Sequence, residues 1–333
     1  MALRIGFWGT GAWSRVHLHW LKQRPHLAEV VACCGGGSSG RELEFQAEAG
    51  PQCEVFASPA EMFPHIDALY VVVPPFADRS VVQQAIEAGI HIFMEKPLAL
   101  TSEAAGRLIT VAAQHPDVVT QLGYMTRFSA LAEALRDPQA EHGRPVLFSG
   151  RYACNHLHAP WWRQKHMSGG QLLEQVSHLV DAACYLFGPA RRVYWEHDNL
   201  CHDGTENYTV EDVSALIIRF HNGALASIAA TNQGIPGKWL SEFHAHFQHL
   251  AATSWDLQNA EIVRFSSPGG SATLETRRIE GGHDPYEREN DDFLHAVLER
   301  RPARVPLSEG LHVLRVVEAA HRSALEQRAI DVV

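Results

Sequence analysis

What this 333-residue sequence lacks narrows its class before any motif is read. No apolar stretch approaches the roughly 20 residues that a bilayer-spanning helix needs. No run of Lys or Arg occurs and the formal net charge is −10, so nucleic acid and anionic membranes are disfavoured as partners. The six cysteines (Cys33, Cys34, Cys53, Cys154, Cys184 and Cys201) include no C-x-x-C pair and fall mostly in apolar segments. That usage fits buried free thiols in a reducing cytoplasm, the expected location. The chain enters a strand pattern at Leu3, with no basic region followed by a long apolar one, so no secretory signal is expected. Charged residues make up 20 %, below the usual share of about 25 %, which leaves room for a buried subunit interface. Internal repeats and low-complexity tracts are also missing.

What is present suggests two domains, since 46 % of the residues are apolar and the length suits more than one core. In the first third, short apolar runs over 3–8, 30–34, 68–73, 89–94 and 118–122 alternate with helical patterns over 14–24, 41–49, 78–88 and 101–115. That alternation predicts an α/β fold with a doubly wound parallel sheet, here residues 1–122. From 123 to 333 the pattern changes to longer alternating strands over 146–152, 192–196, 213–220 and 225–231, with helices over 171–186 and 311–324. This half reads as an α+β domain with an open, mainly antiparallel sheet. His221-Asn222-Gly223-Ala224 supplies a hairpin turn between two of its strands.

Three stretches carry chemistry. Gly9-Thr10-Gly11-Ala12-Trp13-Ser14 follows the first strand and opens a helix, matching G-x-G-x-x-G except for Ser14. The first glycine permits the tight turn and the second lets the backbone approach a pyrophosphate at the helix N-terminus. After the second strand an acid normally binds the adenosine ribose, yet none occurs from Val30 to Arg41. Gly35, Ser38, Ser39 and Arg41 stand there instead, a set that favours the 2′-phosphate of NADP over NAD. Val73 and Pro74, where the third strand stops, are further candidates for contact with the cofactor.

The second stretch, Glu95-Lys96-Pro97, ends an apolar strand, the edge at which open α/β sheets bind ligands, so Lys96 can meet both cofactor and substrate. The third runs from Ser168 to Asp181. Gly169-Gly170 precede a helix on which Glu174, His178 and Asp181 share a face. A carboxylate beside an imidazole orients the ring for general acid/base work.

In order and spacing these parts resemble the Gfo/Idh/MocA family of sugar and polyol oxidoreductases. Gly123-Tyr124, Arg127-Phe128, Gly143-Arg144-Pro145, Asn222-Gly223 and Tyr286-x-x-Glu289-x-x-x-Phe293 extend the likeness over essentially the whole chain. The resemblance implies a Rossmann domain, a C-terminal sheet that forms a homo-oligomer interface, and catalytic roles for Lys96 and His178, with Glu174 orienting the histidine. It implies that Lys96-Pro97 can be cis, that Trp162, Arg163, Tyr286, Glu95 and Lys96 contact the cofactor, and that Tyr124, Arg127 and Asp181 join Lys96 and His178 around the substrate. Glu174 stands where the family usually has Asp. His156 and Trp161 are further candidates for the substrate pocket. The expected activity is hydride transfer between NAD(P) and a small sugar or polyol. Some relatives instead cleave glycosides with a retained cofactor, and others are cofactor-sensing regulators. Histidine is abundant, at 21 residues, but His156-x-His158 and His244-x-His246-x-x-His249 lack a Cys or acid at zinc spacing, and no metal is expected.

Overall fold

A computed structural model describes residues 2–35, 40–136, 142–155, 159–266 and 274–333. They form two packed units: Met1–Tyr124 with Tyr286–Leu311, and Met125–Pro285 with His312–Val333.

The first unit is built on a six-stranded sheet. Its strands are β1 (Leu3–Trp8), β2 (Ala28–Cys34), β3 (Glu54–Val55), β4 (Ala68–Val71), β5 (His91–Glu95) and β6 (Thr120–Gly123). They lie in the order β3-β2-β1-β4-β5-β6, and every neighbouring pair is parallel. The strands are apolar because helices cover both faces. Those helices are α1 (Ala12–Lys22), α2 (Arg41–Ala49), α3 (Pro59–Met62), α4 (Ser80–Glu87) and α5 (Ser102–Gln114). The chain leaves β1 toward β2 on one side and returns to β4 on the other, which makes a topological switch point at the carboxyl ends of β1 and β4. A central core of Phe7, Phe45, Tyr70 and Phe93 is completed from far along the sequence by Phe293, Leu294, Ala296 and Val297. This packing returns Tyr286–Leu311 to the first unit and corrects the single division expected at 122/123.

The second unit contains α6 (Ala130–Ala134), β7 (Pro145–Ala153), α7 (Lys165–Ser168), a π-helical turn (Leu172–Val176) and α8 (Ser177–Phe187). Strands β8 (Ala190–Asp198), β9 (Val213–Phe220), β10 (Leu225–Thr231), β11 (Leu240–Phe247), β12 (Leu250–Ser254), β13 (Ala260–Phe265) and β14 (Leu274–Ile279) follow. Helices α9 (Pro285–Glu299) and α10 (Glu309–Glu326) and a short β15 (Ile330–Asp331) end the chain. The sheet has nine strands in the order β14-β13-β12-β11-β7-β10-β9-β8-β15, antiparallel except for β10 beside β7. Phe148, Ile218, Ile228 and Phe243 on one face are buried, with Phe148 and Phe243 stacked at 5.1 Å. On the other face Leu147, Ile217 and Leu225 are exposed. The β9–β10 turn forms where expected, with Gly223 at φ 93°.

Two expectations change. Strands β11–β14 extend the sheet beyond the four strands read from sequence, and the helix expected over 171–186 is not uniform. Its first turn is π-helical, Leu172–Val176, before α8 begins at Ser177. Gln171 is pinned there from several directions. Its N–H donates to Glu211 Oε2 (2.9 Å), its side-chain amide donates to Asn232 (2.7 Å) and its oxygen accepts from Ser214 (2.7 Å). π-Turns inside helices occur often at functional sites.

Candidate active site

The glycine turn has the geometry that a pyrophosphate site requires. Gly9 has φ 103°, and a Cβ there would lie 2.1 Å from the Val72 carbonyl oxygen and 3.1 Å from Val73. Only glycine fits this close approach between the ends of β1 and β4. Gly11, by contrast, faces open space with no atom within 4 Å of an added Cβ, so a ligand can reach its backbone. Ser14 replaces the third glycine by turning inward: it is fully buried and its hydroxyl donates to the Gly9 carbonyl (2.8 Å). Thr10 is buried, while Ala12 and Trp13 open α1 on the exposed side. Trp13 stacks on Tyr286 at 5.8 Å, which brings together two residues read separately as cofactor contacts. Val73 and Pro74 are half-buried beside the loop and Arg41 is exposed. Ser38 and His156 lie outside the described residues.

Glu95 ends β5 at the same carboxyl edge of the sheet, followed by Lys96 and a cis Lys96-Pro97 bond. Glu95 accepts from His17 Nε2 (3.0 Å), a fully buried residue on α1. His17 Nδ1 meets the Asn290 side-chain nitrogen at 3.0 Å, and that nitrogen also donates to the Tyr286 carbonyl (2.6 Å). A carbonyl can only accept, so the amide nitrogen is fixed as donor and His17 Nδ1 as acceptor. The proton of His17 therefore sits on Nε2 and points at Glu95. Asn290 Oδ1 in turn accepts from Tyr70 (2.9 Å). Among the described residues His17, Glu95 and Glu289 are also the group whose ligand atoms lie within 4.8 Å of one another. Both nitrogens of His17 serve hydrogen bonds, so these side chains form a relay that ends on the residue before Lys96. Sequence reading missed His17 and Asn290; the spacing of His17 on α1 after the glycine turn was the available signal.

In the second unit Glu174 lies on the π-turn and His178 in the first turn of α8. Trp162, only 2 % exposed, donates its indole N–H to Glu174 Oε2 (2.8 Å). Trp161 packs on the cluster of Trp162, Tyr208 and Val210, and the neighbouring Arg163 carbonyl accepts from Thr209 N–H (2.8 Å). Asp181 is fully buried, and both its oxygens accept from Arg127, at 2.6 to 3.1 Å. Arg127 also lies 4.9 Å over the Tyr185 ring. These two expected substrate contacts thus bind each other, and Tyr124 is buried at 1 % exposure. Gly170 explains itself through Glu211: at φ 92°, a Cβ would lie 2.7 Å from that carboxylate. Burial alone would raise the Glu211 carboxyl, but Lys165 and the Gln171 N–H hold it below the usual range.

A cavity of about 730 Å³ opens instead near the amino ends of β5 and β6, among His91, Val118, Arg300 and Pro306. It is lined by none of the glycine-turn residues and lies at the edge of the sheet opposite Lys96.

Parallel topology, a glycine turn at the switch point and a charged strand end on the same edge define a dinucleotide-binding Rossmann protein. Residues 3–124 match the oxidoreductase family with an NAD-binding Rossmann fold, and residues 130–250 match the GFO/IDH/MocA C-terminal domain. The chain is 30 % identical over 234 residues to scyllo-inositol 2-dehydrogenase (NAD(+)) of Bacillus subtilis, covering 69 % of this chain and 67 % of that one. It is 25 % identical over 323 residues to UDP-N-acetylglucosamine 3-dehydrogenase of Acidithiobacillus ferrooxidans, covering 96 % and 95 %. The solved structure of levoglucosan dehydrogenase in complex with NADH shares the fold, with a TM-score of 0.88 over 100 % of both chains at 20 % identity. The chain belongs to the Gfo/Idh/MocA family and is a nicotinamide-dependent oxidoreductase.

Proposed function

We propose that this protein oxidises, or in reverse forms, a CH–OH group of a sugar, polyol or related hydroxylated compound. One observation carries the reading furthest: Lys96 follows β5 at the sheet edge that also bears the open Gly11 turn. The dehydrogenase names of the relatives, for an inositol and a sugar nucleotide, support the substrate class. When bound, the nicotinamide takes or returns the hydride. In the oxidation direction His178 takes the hydroxyl proton, Lys96 donates a hydrogen bond to the same oxygen as negative charge develops, and Glu174, held by Trp162, orients His178.

The test is reduction of NAD or NADP across a panel of sugars and polyols, with wild type beside His178→Ala. The variant is expected to lose about 10²–10⁴-fold in kcat while binding cofactor normally. An unchanged rate in the variant, or no turnover by wild type with any panel member, overturns the reading. The open face of the nine-stranded sheet, with Leu147, Ile217 and Leu225 exposed, supports a homo-oligomer through that face. Light scattering that finds a monomer at micromolar concentration refutes it.

A further inference from the structure

We propose that Glu42, on α2, binds the adenosine ribose hydroxyls and makes the protein selective for NAD over NADP. The inference rests on the dinucleotide site proposed above and decides which nucleotide enters it.

The carboxyl end of β2 is stitched to the glycine turn. Trp8 pairs with Cys34 in register, and Gly9 N–H donates to the Cys34 carbonyl (2.9 Å). The next residue, Gly35, stands where a ribose-binding acid is normally borne. An acidic group is present there, but it comes from the following helix. A Cβ on Gly35 would lie 1.7 Å from Glu42 Oε1, 2.4 Å from its Cδ and 2.6 Å from its Cγ. The whole end of the Glu42 side chain therefore rests on the bare Gly35 Cα. Glycine at 35 and glutamate at 42 act together: the first leaves the space and the second fills it with a carboxylate. The Cys34 thiol registers the charge, pushed up to about 11 by burial and then by Cys33 and Glu42.

The cations nearby do not offset it. Arg15 is taken by Glu48 (2.8 Å), Glu44 (3.1 Å) and the Thr10 carbonyl (3.4 Å). Arg41 opens α2 on the exposed side, with Glu42 and Glu44 following it in the first turn. Arg15 is thus engaged by Glu44 and Glu48, and among the described residues neither guanidinium is bonded to Glu42. A carboxylate can accept from vicinal ribose hydroxyls but repels a phosphate dianion. No acid occurs from Val30 to Arg41, and the first carboxylate after β2 is that of Glu42 near the start of α2.

The test is fluorescence titration of NADH and NADPH into the full-length protein, which needs no substrate. Wild type is expected to bind NADH at least about tenfold more tightly than NADPH. Glu42→Gln keeps the size and the acceptor oxygen but removes the charge. It should weaken NADH several-fold and bring the two affinities to within about threefold. Arg41→Ala should leave the NADH preference in place. Tighter NADPH binding by wild type, or an unchanged ratio in Glu42→Gln with a native thermal melt, overturns the assignment of Glu42 alone. Failure of wild type to bind either nucleotide overturns both this inference and the dinucleotide reading.

Discussion

Each unit of the molecule holds a buried histidine bonded to a carboxylate at nearly the same distance, yet the two pairs are built differently. His17 meets Glu95 at 3.0 Å in the first unit, and His202 meets Asp212 at 3.1 Å in the second. Asp212 also accepts backbone N–H groups from Leu200 (2.9 Å), Cys201 (2.6 Å) and His202 (3.2 Å). Burial would raise its carboxyl, but the amides of Leu200 and Cys201, with His202, hold it below the usual range. His202 is further fixed by stacking on Tyr208 at 4.7 Å. The His17 relay is made of side chains, with Glu95, Asn290 and Tyr70 from three separate elements. A carboxylate saturated by backbone amides anchors a loop. The Glu95 carboxylate is held instead through side chains, on the residue that precedes Lys96 in the chain.

The comparison breaks most readily at Asp212. Asp212→Ala takes the acceptor from the buried N–H of His202 and the part-buried N–H groups of Leu200 and Cys201, and the expected loss is about 3 kcal/mol in urea unfolding. The depressed carboxyl gives the sign of its pH dependence. Its contribution is present above the unfolded-state carboxylate range and is lost as pH falls through the folded value. A loss below about 1 kcal/mol would mean that Asp212 is no anchor.

Next in size is the relay. His17→Leu should lower kcat about 10–100-fold through misplacement of the Glu95–Lys96 strand end, with cofactor affinity retained. His17→Gln, which can donate to Glu95 and accept from Asn290, should recover most of the rate. Equal damage in both variants, tracking their loss in melting temperature, would make the pair structural like its counterpart.

The legibility of the two units differs in the same sense. Apolar strands flanked by helices and the Gly9–Gly11 turn are local patterns, so the parallel sheet and its ligand edge were readable. The return of α9 was not, because Phe293 and Leu294 look like any amphipathic helix until Tyr70 and Phe93 are seen to need them. Strand β11 carried a readable signal that was missed, with Phe243, Ala245 and Phe247 inward and His244 and His246 outward, whereas β14 is exposed almost throughout and shows no alternation. The π-turn escaped because sequence periodicity assumes 3.6 residues per turn, whereas Glu211 and Ser214, far along the chain, pin its start. The resemblance named Glu174 and His178 but could not supply Trp162 as the partner of Glu174.

A subtler probe uses His321, which stacks on Trp195 at 5.1 Å. Burial, then the positive Lys165, pushes its imidazole down to about 4, against the opposing charges of Glu211 and Glu318, with His197 also facing it. A depressed histidine stabilises the fold above the unfolded value of 6.5, and that stability drains as pH falls toward 4. His321→Phe should flatten this window, by roughly tenfold in the unfolding constant, while the steeper loss tied to Asp212 persists at lower pH. Identical profiles for variant and wild type would remove His321 from the account.

The smallest expected effect is at Trp162, where the relay idea can be tested in the second unit. The indole N–H reaches Glu174, so Trp162→Phe keeps the ring in its cluster with Tyr208 and Val210 but deletes the donor. Glu174 then orients His178 less well, and kcat should fall about 3–5-fold, the size of one modest hydrogen bond. If Trp162 acts through Glu174, the pH at which kcat is half-maximal should move and the dissociation constant for the nucleotide should not. The resemblance assigns Trp162 to the cofactor instead, which requires the opposite split: weaker nucleotide binding with an unmoved pH profile. The 2 % exposure of the indole favours the first outcome, since a side chain so enclosed has little surface left to offer a ligand.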